Sequence, residues 1–88
     1  MNPRPKLELY VSRGCGACKR AERALRGCAR LASLVEVTVL EIGAPGVRPP
    51  SAVVGGPTTV FEGAVMALGT PDCEELAERL ESRMFAGR

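Results

Sequence analysis

Cys15 and Cys18 stand three positions apart in Cys15-Gly16-Ala17-Cys18, at the point where one pattern of apolar residues gives way to another. Before them Lys6-Leu7-Glu8-Leu9-Tyr10-Val11 alternates as a strand does; after the short Ser12-Arg13-Gly14 connection the period is helical. Residues three apart at a helix start lie one above the other on the same face, with Cα atoms roughly 5–6 Å apart, the span that a disulfide closes. The first cysteine also faces the unpaired N–H groups and positive dipole end of the helix, which favour thiolate over thiol. A cysteine with a pKa of about 8.5 is only about 3% ionised at pH 7, whereas one lowered to about 7 is half ionised. That difference separates an inert thiol from a nucleophile. A C-x-x-C between a strand and a helix of a βαβ pattern therefore reads as a redox motif.

The other titratable chemistry is sparse. The chain has no histidine, which removes Cys–His catalysis and every histidine-containing metal site. A four-cysteine zinc site would have to recruit Cys28 and Cys73, whose spacing lacks a second C-x-x-C. Both fall on core-facing helix stripes, where a cysteine serves as a small buried hydrophobe. A second disulfide between them stays open, since both helices should pack on one side of the sheet, but nothing in the spacing demands it. No metal site is expected.

Eighty-eight residues make a single domain, 1–88, that buries a core with little margin. The net charge of +2 is too small to argue for nucleic acid, and Tyr10, Phe61 and Phe85 are the only stacking surfaces. No stretch approaches the roughly 20 apolar residues that cross a bilayer. Met1-Asn2-Pro3-Arg4-Pro5-Lys6 lacks the apolar core of a signal peptide. A cytoplasmic setting is therefore expected, in which cysteines are reduced, catalytic or metal-bound more often than they are staples.

The elements that must position the cysteines are set by pattern. Leu7, Leu9 and Val11 line one face of a first strand. A helix is expected from about Gly16 to Ala32, with Cys18, Ala21, Ala24, Leu25, Cys28, Ala29 and Ala32 on its apolar stripe. Gly27 weakens it by about 1 kcal/mol relative to alanine. Its outer face is basic: Lys19, Arg20, Arg23, Arg26 and Arg30, read as a solvated face. Residues Leu34 to Ile42 are β-branched and apolar on both faces, as in a strand covered by helices and parallel to the first. From Gly43 to Gly56 the prolines and glycines predict loop, with one helical turn near Pro50-Ser51-Ala52-Val53. Thr58–Phe61 and Ala64–Leu68 flank Glu62-Gly63 as a hairpin. A last helix is expected to be capped by Thr70, with Pro71 at its first position and Cys73, Leu76, Ala77, Leu80 and Met84 facing inward.

The order β-α-β, loop or short helix, β-β-α with C-x-x-C at the first helix start resembles the minimal thioredoxin fold. Among its members the small glutaredoxin-like proteins are closest in size. Tyr10-Val11-Ser12-Arg13-Gly14-Cys15-Gly16-Ala17-Cys18 resembles the family's strand-to-active-site segment, and Gly56-Pro57-Thr58-Thr59-Val60-Phe61-Glu62-Gly63 its proline, strand and glycine turn. The likeness covers roughly residues 6 to 85. It implies an α/β fold, a four-stranded mixed sheet with helices packed on it. It also implies Cys15 as attacking thiolate, Cys18 as resolving thiol, and a cis bond at Pro57 that leaves the backbone of Gly56 and Thr58 free to pair with an extended substrate. Pro50, taken instead as that proline, would leave Thr58–Leu68 without a place. Arg13 and Lys19 flank the motif and are expected to lower the thiol pKa, Arg13 also serving as a substrate contact. Gly16-Ala17 differs from the Gly-Pro of common thioredoxins and the Pro-Tyr of common glutaredoxins, and Gly14 stands where a thioredoxin has tryptophan.

The expected function is thiol–disulfide exchange through a Cys15–Cys18 dithiol, with no resident cofactor. The partners expected are a disulfide-containing protein or small thiol, and a reductase or glutathione as electron donor; glutathione is the candidate co-substrate. Nucleic acid and membrane are not expected partners, and a monomer is expected. The rival readings are an iron–sulfur or soft-metal delivery protein that uses Cys15, and a redox-sensing adaptor.

Overall fold

The computed structural model describes residues 4–85, so Met1–Pro3 of the proline-rich lead lie outside the described residues. The chain is α/β: β1 (Lys6–Val11), α1 (Gly16–Arg26), α2 (Ala29–Ala32), β2 (Glu36–Glu41), β3 (Thr58–Phe61), β4 (Ala64–Leu68) and α3 (Cys73–Met84). The strands form one mixed sheet in the order β2-β1-β3-β4. The one parallel pair, β1 with β2, runs in register from Lys6 opposite Glu36 to Val11 opposite Glu41. On its other side β1 pairs antiparallel with β3, and β3 with β4. This arrangement is compatible with a minimal thioredoxin-like fold.

β1 is thus central, and its C-terminal end delivers the chain directly to Cys15. Alternation along it sends Leu7, Leu9 and Val11 into one cluster with Ala21, Leu25, Leu31, Phe61, Met66, Leu76 and Leu80. All three helices therefore pack on a single face of the sheet. On the opposite face Tyr10 and Val60 are also buried. Between β3 and β4 the turn Glu62-Gly63 has positive φ at both residues (50° and 81°), the backbone of a two-residue hairpin loop.

Four expectations are corrected. The first helix does not run to Ala32. It ends at Gly27, where the chain adopts φ −83° and ψ −1°; Cys28 is extended, and α2 is a separate turn of helix. The glycine removes the side-chain support of a continuous helix, and the break rotates α2 relative to α1. Leu31 is buried in place of Ala29 and Ala32, which are exposed. β2 is shorter than Leu34–Ile42 and is an edge strand; Val37 and Val39 pack on the core, and none of its residues is fully buried. α3 is capped not by Thr70 but by Asp72, whose carboxylate accepts from the Glu75 N–H at 2.9 Å, so Pro71 lies outside the helix. Aspartate and threonine both cap well, and only the path of the chain after β4 chooses between them.

The fourth correction concerns Cys28 and Cys73, which form a disulfide with Cα atoms 5.9 Å apart. The extended backbone at Cys28 (φ −93°, ψ 100°) turns this residue toward the first residue of α3. Arg30 in α2 forms ion pairs with Glu74 and Glu81 of α3, so the same two elements are joined covalently and electrostatically. The loop 43–56 is a series of turns, among them Ala44–Val47, closed by Val47 N–H to Ala44 O at 3.1 Å, and Pro50–Val53, closed by Val53 N–H to Pro50 O at 2.9 Å where the proline spacing places one.

Candidate functional site

Gly14 carries the turn from β1 into α1 at φ +71°, a left-handed conformation that glycine adopts without strain. Cys15 is then the N-cap of α1, extended at φ −91° and ψ 109°, and its sulfur accepts the Cys18 N–H at 3.1 Å. A thiol thus takes the capping place usually held by serine or aspartate, which puts negative charge on the sulfur where the helix end welcomes it. Both cysteines are free: Cys15 is half-buried, and Cys18, one turn on, is buried beneath it.

Their acidities are driven apart. The Cys15 thiol is held below the ordinary thiol range, first by its hydrogen bond with the Cys18 thiol. Partial desolvation works against this, and the N–H groups of Cys18 and Ala17 and the charge of Arg20 add to it. Cys18 is pushed up, first by burial and then by the same hydrogen bond to Cys15, with the Ser12 N–H opposing and the charge on Cys15 adding. Two thiols of one chemical type become an acid and a weak acid side by side, the division of labour that stepwise exchange needs.

The cation whose charge helps to lower the Cys15 pKa is Arg20. Arg13 projects into solvent, its side chain 90% exposed, and lies 3.7 Å from Glu41. Side chains on a helix lean back toward the N-terminus, so Arg20 reaches over Gly16, its guanidinium 3.9 Å from where a Cβ on that glycine would sit. The four-residue spacing from Gly16 to Arg20 is the signal for this in the sequence. Lys19 lines the depression of about 210 Å³ at the cysteines, together with Val11, Ser12, Arg13 and Glu22.

Gly56 and Pro57 come to the same place from the far end of the 43–56 loop. The Gly56–Pro57 bond is cis. Gly56 lies flat on the end of β1, where an added Cβ would sit 2.7 Å from Val11 Cα and Ser12 N and 2.9 Å from the Cys18 sulfur. Part of the backbone expected to be free at Gly56 and Thr58 is engaged within the protein. The Gly56 N–H donates to Ser12 Oγ at 3.1 Å, and the Pro57 carbonyl accepts from the Gly69 N–H at 3.0 Å. Thr58 is buried inside the sheet, paired with Tyr10 and Leu68, and its hydroxyl donates to the Gly55 carbonyl at 2.6 Å. Ser12, absent from the sequence-level site, is the residue that ties these parts together: its N–H faces Cys18 and its hydroxyl holds Gly56.

Two of the three atoms nearest a Gly56 side chain, Val11 Cα and Ser12 N, are backbone and cannot swing away. Gly56→Ala is expected to lower stability by about 1–3 kcal/mol and to slow alkylation or oxidation of the dithiol by displacing Cys18. Urea unfolding and thiol-probe kinetics on the variant measure both; a variant within about 0.5 kcal/mol of the parent, the range of an ordinary surface substitution, would show that the loop does not seat there.

Among the described residues no three histidine, cysteine, aspartate or glutamate side chains gather as a metal site would. Nor, among them, is any helix long and apolar enough to cross a membrane. No protein-family model matches the chain, and no curated protein matches it.

Proposed function

We propose that the protein is a thiol–disulfide oxidoreductase of the thioredoxin-like, glutaredoxin-like kind, working through a reversible Cys15–Cys18 disulfide with no resident cofactor. The observation that carries the reading is the placing of two adjacent free thiols, a half-buried one that caps a helix and a buried one behind it, which drives their acidities apart. The Cys15 thiolate attacks one sulfur of a substrate disulfide, forming a Cys15–substrate bond, and the departing thiolate takes a proton from water. Cys18 then gives up its proton and attacks the Cys15 sulfur. The Cys15–Cys18 disulfide forms and the second substrate thiol leaves. The substrate disulfide gains two electrons and the protein dithiol loses them; a dithiol reductase, or two molecules of glutathione, returns the protein to the reduced state.

The substrates proposed are a disulfide-bearing protein or small disulfide. The cytoplasmic setting expected from the sequence suits a dithiol kept reduced, while the Cys28–Cys73 staple has to withstand the same reducing pool. Monomeric behaviour is part of the same proposal.

The test is the pH profile of alkylation. Only the thiolate reacts, so the rate at each cysteine rises with pH through its own pKa and then levels. Cys15 is expected to reach half its limiting rate below the ordinary thiol value of about 8.5, and Cys18 above it, so that Cys15 dominates at pH 7. Mass spectrometry of iodoacetamide-labelled protein separates the two sites. Equal rates at both, or a Cys15 midpoint above that of Cys18, would remove the basis for the reading.

A further inference from the structure

The basic residues of α1 are not scattered around it. Counted from Cys15, Lys19 is four residues on, Glu22 seven, Arg23 eight and Arg26 eleven, which puts all of them on the strip of helix surface that continues away from the nucleophile. Lys19 and Glu22 line the depression at Cys15 and Cys18, and they also line the neighbouring groove of about 510 Å³, completed by Arg23, Arg26 and Gly27. The two hollows are therefore neighbours along the helix, with Lys19 and Glu22 between them.

The charge of this groove is largely uncompensated. Arg26 is paired with Glu22 at 2.9 Å and Arg13 with Glu41 at 3.7 Å. Lys19 and Arg23 are exposed and, among the described residues, have no ion-pair partner. Cations lining a groove that ends at a reactive sulfur concentrate anionic ligands there and raise their association rate. Length selects the kind of anion. From Cys15 to Arg26 the helix rises about 16 Å, which an extended chain crosses in about five residues. A small disulfide with one or two carboxylates covers only the first turn.

We propose that the groove from Cys15 past Lys19 and Arg23 to Arg26 docks an acidic segment of a substrate polypeptide, so that the preferred substrate is a disulfide with aspartate or glutamate within about five residues of its reactive cysteine. The inference rests on the thiol–disulfide reading and names its substrate class. The chemistry is unchanged: the dithiol becomes the Cys15–Cys18 disulfide and the peptide disulfide becomes two thiols. The docked segment only raises the encounter rate and holds the disulfide at Cys15.

The experiment is single-turnover stopped flow with the full chain, its Cys15–Cys18 pair reduced beforehand. The substrates are three synthetic peptide disulfides of equal length, with acidic, neutral or basic residues beside the cysteine. Hydroxyethyl disulfide serves as an uncharged small substrate and dithiodiglycolate as an anionic one. Every protein's rates are taken relative to its own rate with hydroxyethyl disulfide, so damage to the thiols is not mistaken for lost docking. At about 20 mM salt the acidic peptide is expected to react about tenfold faster than the basic one, and the advantage to shrink toward unity at about 500 mM. Arg23→Glu, and Arg23→Glu with Arg26→Glu, are expected to abolish or reverse it. Equal rates for the peptides, or a preference that survives both variants, would overturn the proposal. So would an equal gain for dithiodiglycolate, which would make the groove a small-anion site, or salt-sensitive dimers in sedimentation, which would seat a second copy there. Failure of the parent protein to reduce hydroxyethyl disulfide would sink the thiol–disulfide reading itself, and this inference with it.

Discussion

Cys15→Ser is expected to abolish turnover, with a loss on the order of 10³-fold or more in disulfide reduction, because a hydroxyl cannot supply the nucleophile. Cys18→Ser is expected to fail differently. It retains the first attack and then stalls, accumulating a mixed disulfide at one substrate per protein. The asymmetry comes from position. Cys15 is the half-buried member, whereas Cys18 is 4% exposed and has the Gly56 backbone packed against its sulfur. Chemistry reinforces it, because two of the three causes that raise the Cys18 pKa, its hydrogen bond to Cys15 and the charge there, depend on Cys15 being a free thiolate. Once Cys15 is bound in a mixed disulfide both disappear, and Cys18 becomes a stronger acid when its attack is due. This fixes the sign of the pH effect on the second step: Cys18 in the mixed disulfide titrates below its value in the free dithiol. Intact-mass measurement of the two variants with an excess of peptide disulfide reads both outcomes. A stable adduct on Cys15→Ser instead of Cys18→Ser would reverse the assignment of roles.

The chain alone makes legible whatever short-range pattern decides. The alternation of Leu7, Leu9 and Val11, the Glu62-Gly63 turn and the inward stripe Leu76, Ala77 and Leu80 each depend on residues a few positions apart, and the structure has them as expected. The places where sequence and structure differ depend on longer-range geometry. Gly27 reads as a weak point, yet whether a helix tolerates a glycine or ends at it depends on what the next residues can gain. Here Cys28 leaves the helix and meets Cys73. Whether β2 is covered on both faces depends on the chain after it, which forms turns in place of a helix, and on the strand order, which leaves β2 at an edge. At the site, flanking position brings Arg13 and Lys19 to the depression at the cysteines, and the backward lean of helical side chains adds the charge of Arg20. Ser12 lies in the segment that leads to Cys15, but the part its hydroxyl plays is set by a contact 44 residues away.

The Cys28–Cys73 disulfide bears on stability more than any other single feature. It joins residues 45 apart in sequence, and closing a loop of that size removes chain entropy worth about 4 kcal/mol from the unfolded state. An 88-residue domain has a total stability of about 5–13 kcal/mol, so the cross-link is a large fraction of what holds it together. The loop it closes contains β2, the 43–56 segment, Pro57 and the β3–β4 hairpin, so losing it frees the very chain that seats Gly56 on Cys18. Replacing both cysteines, Cys28→Ala with Cys73→Ala, is expected to lower the unfolding free energy by about 3–4 kcal/mol and the melting temperature by roughly 15–30 °C. The ion pairs of Arg30 with Glu74 and Glu81 join the same elements and will not compensate, since partly exposed pairs contribute about 0–1 kcal/mol each. Urea unfolding of the double variant beside the oxidised parent measures the loss directly. Were the two proteins equally stable, Cys28 and Cys73 would be acting as the small core residues their sequence positions suggest, and the link between α2 and α3 would owe its strength to packing alone.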